Sequence, residues 1–200
     1  MRRADRDNNM DPARLEAFSD GVLAILITIM VLDLKVPKGI TWDALLPMTN
    51  TLLCYVLSFV YLGIYWNNHH HMFHLADRVN GRIMWANMHL LFWLSLVPFV
   101  TEWVGANHFA RVPAAAYGFV LLMAGIAYWL LQAAIIQDQG RDSKLRQAIG
   151  KDLKGKASPS IYTIALLCSF INGWVSMALY ALVAAMWFIP DPRIESKLRT

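Results

Sequence analysis

Apolar blocks long enough to cross a lipid bilayer dominate the chain, and no other feature restricts its fold so strongly. A spanning helix needs roughly 20 mostly apolar residues at about 1.5 Å rise each. The first block covers 12–34, with an almost wholly apolar stretch at 21–32. Asp11-Pro12 supplies its start signal, because Asp caps free N–H groups and Pro is tolerated in a first turn. The second block covers 42–67, the third 83–104 with Pro98 expected to bend it, and the fourth 112–137. The last block, 160–189, is too long for one span without strong tilt, and Asn172-Gly173 near its middle is the natural break. Two shorter spans result, 158–171 and 175–189. The expectation is an all-α membrane protein with six transmembrane helices in a single domain over 1–200.

Composition agrees with that solvent. The chain is 57% hydrophobic and 16% charged, against about 25% charged in soluble domains. Its mean hydropathy is +0.40. An ordinary soluble enzyme would expose far more contiguous apolar surface than such proteins tolerate. Cys54 and Cys168 fall inside expected spans, so no disulfide framework is implied. The first block carries Asp20 near its start and lacks a small-residue cleavage site, so it is expected to be retained.

Charge placement gives the spans a direction. Cytoplasmic loops carry excess Lys and Arg. With both termini cytoplasmic, segments 1–14, 68–82, 138–157 and 190–200 hold 15 of the 18 Lys and Arg. Only Lys35, Lys38 and Arg111 fall outside. Reading the last block as one span would move three more outward. A multi-pass protein of the cell (plasma) membrane is expected. The net charge of +4 then follows from topology and attraction to anionic lipid, rather than from nucleic-acid binding.

The first block also carries a motif: Arg14, three residues, then Phe18-Ser19-Asp20. With this motif, six spans, cytosolic ends and an Asn/His-rich end to the second span (Trp66-Asn67-Asn68-His69-His70-His71), the sequence resembles the prokaryotic single-repeat form of the transmembrane protein 175 family, the lysosomal-type potassium channels. The resemblance covers essentially the whole chain. It implies a homotetramer around a central pore lined by first helices, with permeant K⁺ and no cofactor. It also implies a main hydrophobic constriction at Ile25, further apolar rings at Ile29 and Leu32, and a contribution of Thr28 to potassium preference.

Helical geometry is compatible with that assignment. At 100° per residue, Phe18, Ile25, Thr28, Ile29 and Leu32 fall within about 60° of the Ile25 meridian. Such a stripe suits a pore gated by dewetting, and equally suits a lipid or helix-packing face. Asp20 projects about 140° from Ile25, so it should pair inside the bundle. The Asn67–His71 cluster, Arg78, Asn87 and His89 are its candidate partners. Arg14, Phe18, Ser19, Asp20, His70 and His71 are expected to form a structural network behind the pore helix.

The histidines allow other readings. His70 and His74 stand at i, i+4, a spacing that suits a metal. A di-iron enzyme would need about eight His across several boxes, and the chain has six. Polar capping at an inner membrane face fits the cluster better than a metal site. Trp42, Trp66, Trp85, Trp103 and Trp187 sit near span ends and read as interfacial anchors. The sequence contains no TVGYG-like filter, no Arg-repeat voltage sensor and no nucleotide-binding loop. A passive, leak-type, potassium-permeable channel embedded in lipid is the expected function. A proton- or cation-coupled transporter using Asp20 and the His69–His74 cluster is the alternative.

Overall fold

The computed structural model describes residues 10–140, 142–149 and 153–188, with the side chain of residue 153 excepted. Helix α1 covers Pro12–Ile29. Asp11 caps it, its Oδ1 accepting from the Ala13 amide at 3.0 Å, and Pro12 occupies the first turn. The expected span reached residue 34, but the chain tightens after Ile29. Leu32 N–H donates to the Ile29 carbonyl and Leu34 N–H to the Val31 carbonyl. The β-branched run and the approach to Val36-Pro37 disfavour continued α geometry.

The second block is also not one helix from residue 42. Trp42–Met48 is a short 3₁₀ helix containing Pro47, whose missing N–H interrupts an α ladder. Helix α2, Thr49–His74, then continues seven residues beyond the expected end at 67. Its buried stripe explains the extension, because Tyr65, His69, Met72 and Phe73 keep facing the core.

Pro98 was expected to bend the third span. It ends one helix and starts another: α3 is Gly81–Ser95 and α4 is Val97–Ala106. Asn80 caps α3, its Oδ1 accepting from Ile83 N–H at 3.0 Å. Helix α5, Arg111–Gln139, runs unbroken and stops at Gly140, whose φ of 90° suits glycine. The polar connector contains α6, Lys144–Ile149, with Leu145 and Ala148 buried. The last block is α7, Leu153–Ser169, and α8, Gly173–Phe188. Asn172 Oδ1 accepts from Trp174 N–H at 2.9 Å where α8 begins.

Among the described residues, three helical stretches are long and apolar enough to cross a membrane: Trp42–His74, Gly81–Ala106 and Arg111–Gln139. Helix α1 carries Arg14, Glu16 and Asp20 in its first half. Helix α8 is strongly apolar but has 16 residues, about 24 Å of rise.

Helix α5 sits centrally, touching α3, α4, α7 and α8, while α2 contacts α1, α4 and α8. Close approaches depend on glycine. A Cβ at Gly118 would lie 1.8 Å from the Tyr180 hydroxyl, and one at Gly105 would lie 2.8 Å from Thr51 Cα. Tyr180 ties three helices together. Its hydroxyl donates to the Ala114 carbonyl at 3.3 Å, and its own carbonyl accepts from the Tyr61 hydroxyl at 2.6 Å. A second buried cluster joins Ser58 Oγ to Thr101 Oγ1 (2.6 Å) and to the Tyr117 hydroxyl (2.9 Å). These pairings satisfy groups that would be costly to bury alone.

Gly118→Ala should therefore destabilise the fold by about 1–3 kcal/mol through overpacking. Gly63→Ala meets nothing within 4 Å and should be neutral or slightly stabilising. Thermal unfolding of the two variants in the same detergent checks the contrast.

Candidate functional site

Helix α1 has two unlike faces. Leu15, Ser19, Leu23 and Leu26, at helical spacing, are buried, and Met30 extends the row. The opposite side stays open in the protomer. Phe18 is 51% exposed, Ile25 60% and Leu32 79%, with Thr28 and Ile29 also exposed. The expected stripe is thus the face of α1 that its own chain leaves uncovered. Leu32 lies past the helix end, so its position follows turn geometry rather than the 100° rule.

Thr28 is the stripe's polar member. Its hydroxyl lies 3.0 Å from the Ala24 carbonyl and 2.9 Å from the Ile25 carbonyl, and donates back to its own helix. With the proton so engaged, the oxygen offers lone pairs to anything on the exposed side.

The buried side carries a directed chain of hydrogen bonds. His69 Nε2–H donates to Asn87 Oδ1 at 2.8 Å. Asn87 Nδ2 donates to Ser19 Oγ at 2.9 Å, and Ser19 Oγ–H donates to the Leu15 carbonyl at 2.8 Å. His69, Asn87 and Ser19 are all buried. The His69 ring lies against Phe73 with centroids 4.5 Å apart. Its Nδ1 is buried without a hydrogen-bond partner among the described residues.

Two further rungs join α1 to α2. Trp66 Nε1 donates to Asp20 Oδ1 at 3.1 Å, and His70 Nδ1 lies 2.6 Å from Glu16 Oε1. Each partner pair is spaced i, i+4, with numbering rising on α1 and falling on α2. Antiparallel neighbours therefore register both rungs at once. The Trp66 and His70 rings stack between the rungs at 6.4 Å.

These placements revise the expected network. Asp20 turns inward, but its partner is Trp66 rather than the Asn/His cluster, Arg78, Asn87 or His89. Arg78 instead pairs with Asp138 on α5, Nε to Oδ2 at 2.7 Å, and Asn80 Nδ2 donates to Asp138 Oδ1 at 2.8 Å. Ser19 and His70 join the α1 contacts. His71 lies half-buried with its ring 5.7 Å from His70. Arg14 and Phe18 are exposed and add no cross-helix hydrogen bond within the protomer's described residues. Sequence reasoning missed Glu16 and Asp138, and took Trp66 only as an interfacial anchor. The matched i, i+4 spacing of Glu16/Asp20 and Trp66/His70 was the available signal. His70 and His74 stack at 6.2 Å. Among the described residues, no three His, Cys, Asp or Glu side chains gather to hold a metal.

Residues 14–98 match the model of the family described as endosomal/lysosomal potassium channel TMEM175. A Chryseobacterium protein named as a potassium channel is 53% identical over 190 residues, which is 95% of this chain and 99% of that relative. A Streptomyces collinus protein named likewise is 31% identical, over 93% of this chain and 97% of its own. The crystal structure of a lysosomal potassium-selective channel TMEM175 homologue from Chamaesiphon minutus matches with a TM-score of 0.79 at 30% identity, covering 89% of this chain and 96% of that one.

Replacing Ser19 by Ala strands a buried Asn87 donor and should cost about 1–3 kcal/mol. A Ser19→Ala/Asn87→Ala double-mutant cycle, read by thermal unfolding in detergent, should show a coupling of about 0.5–3 kcal/mol. Simple additivity of the two losses would contradict a direct bond.

Proposed function

The chain belongs to the TMEM175 family of endosomal/lysosomal potassium channels, and from that premise we propose that four copies form a membrane pore lined by α1 through which K⁺ passes passively. The activity is permeation down an electrochemical gradient, so it requires neither catalysis nor a cofactor. The observation that carries the reading is the uncovered stripe of α1: Phe18, Ile25, Thr28, Ile29 and Leu32 stay exposed while the opposite side is packed and hydrogen-bonded. A fourfold arrangement would bring the stripes together around an axis.

In this reading Ile25 forms the narrowest ring, with Ile29 and Leu32 as rings beyond it. A narrow apolar ring holds no continuous water column, so the pore opens by wetting. Thr28 lies between rings and presents oxygen lone pairs, the one ligand on the stripe that can replace part of a cation's hydration shell. Such a filter gives modest selectivity, because apolar rings supply no ligands. Glu16, Ser19 and Asp20 hold α1 from behind through His70, Asn87 and Trp66. Arg14 and Phe18, which make no cross-helix hydrogen bond among the described residues of the protomer, stand on the exposed side of α1, where a neighbouring copy would meet them.

Six crossings account for the helices: α1, the 42–74 stretch, α3 with α4, α5, α7 and α8. The excess of Lys and Arg in the segments at one side supports cytoplasmic termini and insertion in the cell membrane. A coupled transporter using Asp20 and the histidines has less support, since Asp20, His69 and His70 are each engaged in holding helices together.

Single-channel recording of the purified protein in bilayers, wild type against Ile25→Asn, tests the pore. A polar ring should wet the constriction, giving a several-fold larger and less potassium-selective current. Absence of cation current in both proteins would sink the proposal. A native mass measurement in detergent should report four chains per complex.

A further inference from the structure

Helices α5 and α7 meet along an edge that carries cations and unpartnered donors side by side. A small cavity opens there, in the half of the bundle where α2 ends and α7 begins. It holds about 70 Å³, against about 150 Å³ for an apolar cavity that encloses benzene. A guest of any size must therefore lie across the open edge rather than inside. Trp129, 59% exposed, marks that edge.

The edge presents donors that the protein does not use. Trp187 Nε1 donates to Ser158 Oγ at 2.8 Å and is satisfied. Trp129 Nε1 and the Gln132 side-chain amide, one turn apart on α5, make no hydrogen bond to a described residue. An indole N–H can only donate, and no water reaches it from hydrocarbon.

The start of α7 is basic. Lys156 stands three residues before Pro159 and Lys154 four before Ser158, and both Pro159 and Ser158 line the cavity. Residues at those spacings share a helix face, so the two Lys lie one turn beyond the wall. Ser158 Oγ–H donates to the Lys154 carbonyl at 2.8 Å, which fixes that turn. Lys156 is exposed and makes no ion pair among the described residues. Asp138 is held by Arg78 and Asn80, Asp77 stands against Lys144, and no carboxylate lines the cavity. Further along, α7 exposes Ile164 and Leu167. The lysines thus mark the level where α7 passes from headgroups to hydrocarbon.

Cation, then N–H donors, then apolar surface is the order in which a phospholipid presents its phosphate, ester carbonyls and acyl chains, and basic pockets between membrane helices bind anionic headgroups. We propose that the α5–α7 edge binds an anionic phospholipid, its headgroup against Lys154 and Lys156 and its ester carbonyls accepting from Trp129 Nε1 and the Gln132 amide. An acyl chain then follows the exposed apolar side of α7. A free cation is repelled by the same lysines and finds no carboxylate.

Tryptophan fluorescence of the full chain in vesicles tests the site. Phosphatidylglycerol and phosphatidylcholine, each brominated high on the same acyl chain, quench the indoles they touch. Subtracting the signal of Trp129→Phe isolates Trp129. Phosphatidylglycerol should be favoured there at least three-fold. Lys156→Ala should at least halve that preference, and Lys154→Ala/Lys156→Ala should bring it close to one. Arg82→Ala, which removes the same charge from an exposed position on α3, should leave it unchanged, as should millimolar inorganic phosphate. Equal quenching by the two lipids in the wild type overturns the proposal, and so does a preference that survives in the double variant. An equal loss in Arg82→Ala overturns it in favour of a diffuse surface field, and displacement by inorganic phosphate in favour of a simple anion site. The readout is lipid contact alone, so it stands or falls separately from the ion pathway.

Discussion

The antiparallel contact between α1 and α2 is the interaction on which the rest of this architecture depends. Helix α1 is too polar in its first half to be held by apolar packing alone. Three consecutive rungs solve that problem: Glu16 to His70, Ser19 through Asn87 to His69, and Asp20 to Trp66. Each uses a group that would be expensive in a low-dielectric interior without a partner. Their common placement on one side of α1 fixes the helix's rotation, and that rotation decides which residues remain uncovered. The identity of the exposed stripe is therefore set by the polar contacts behind it.

The core of the bundle obeys a complementary rule. Gly118 and Gly105 let α5 and α4 approach large or backbone neighbours closely. Tyr180 fills the space so made at Gly118, and Tyr61, Tyr117 and Tyr180 direct their hydroxyls to acceptors on other helices. In lipid, where apolar burial adds little driving force between helices, close packing and interhelical hydrogen bonds carry association.

Much of this was legible in the sequence. The apolar blocks located the helices, Asp11-Pro12 marked the start of α1, and the 3.6-residue period put Phe18, Ile25, Thr28 and Ile29, residues that the family resemblance had picked out, on one face, which α1 leaves exposed. The inward turn of Asp20 also followed from its angle to Ile25. What escaped were matters of degree and of partners. Pro47 sits inside the 3₁₀ helix that precedes α2, and Pro98 in the first turn of α4 just after α3 ends, because a residue without an N–H is tolerated there and not within a continuous α ladder. The reach of α2 to His74 depended on tertiary burial of Met72 and Phe73. Trp66 as the donor to Asp20, and Asp138 as the acceptor from Arg78, are contacts between residues 46 and 60 positions apart, and the pattern within one segment does not by itself specify which distant partner will lie opposite.

The positions of the rungs also give α1 a mechanical character. Among the described residues, every side-chain hydrogen bond from α1 to another helix lies between Glu16 and Asp20. Beyond them the helix is held by Leu23, Leu26 and Met30, contacts without directional preference that resist separation but permit sliding. Helix α1 is thus a beam clamped at one end. Its compliance grows with distance from the clamp and is greatest toward Ile29 and the turn that carries Leu32. Small lateral forces on its neighbours would deflect that far end first, while the clamped segment stays in register.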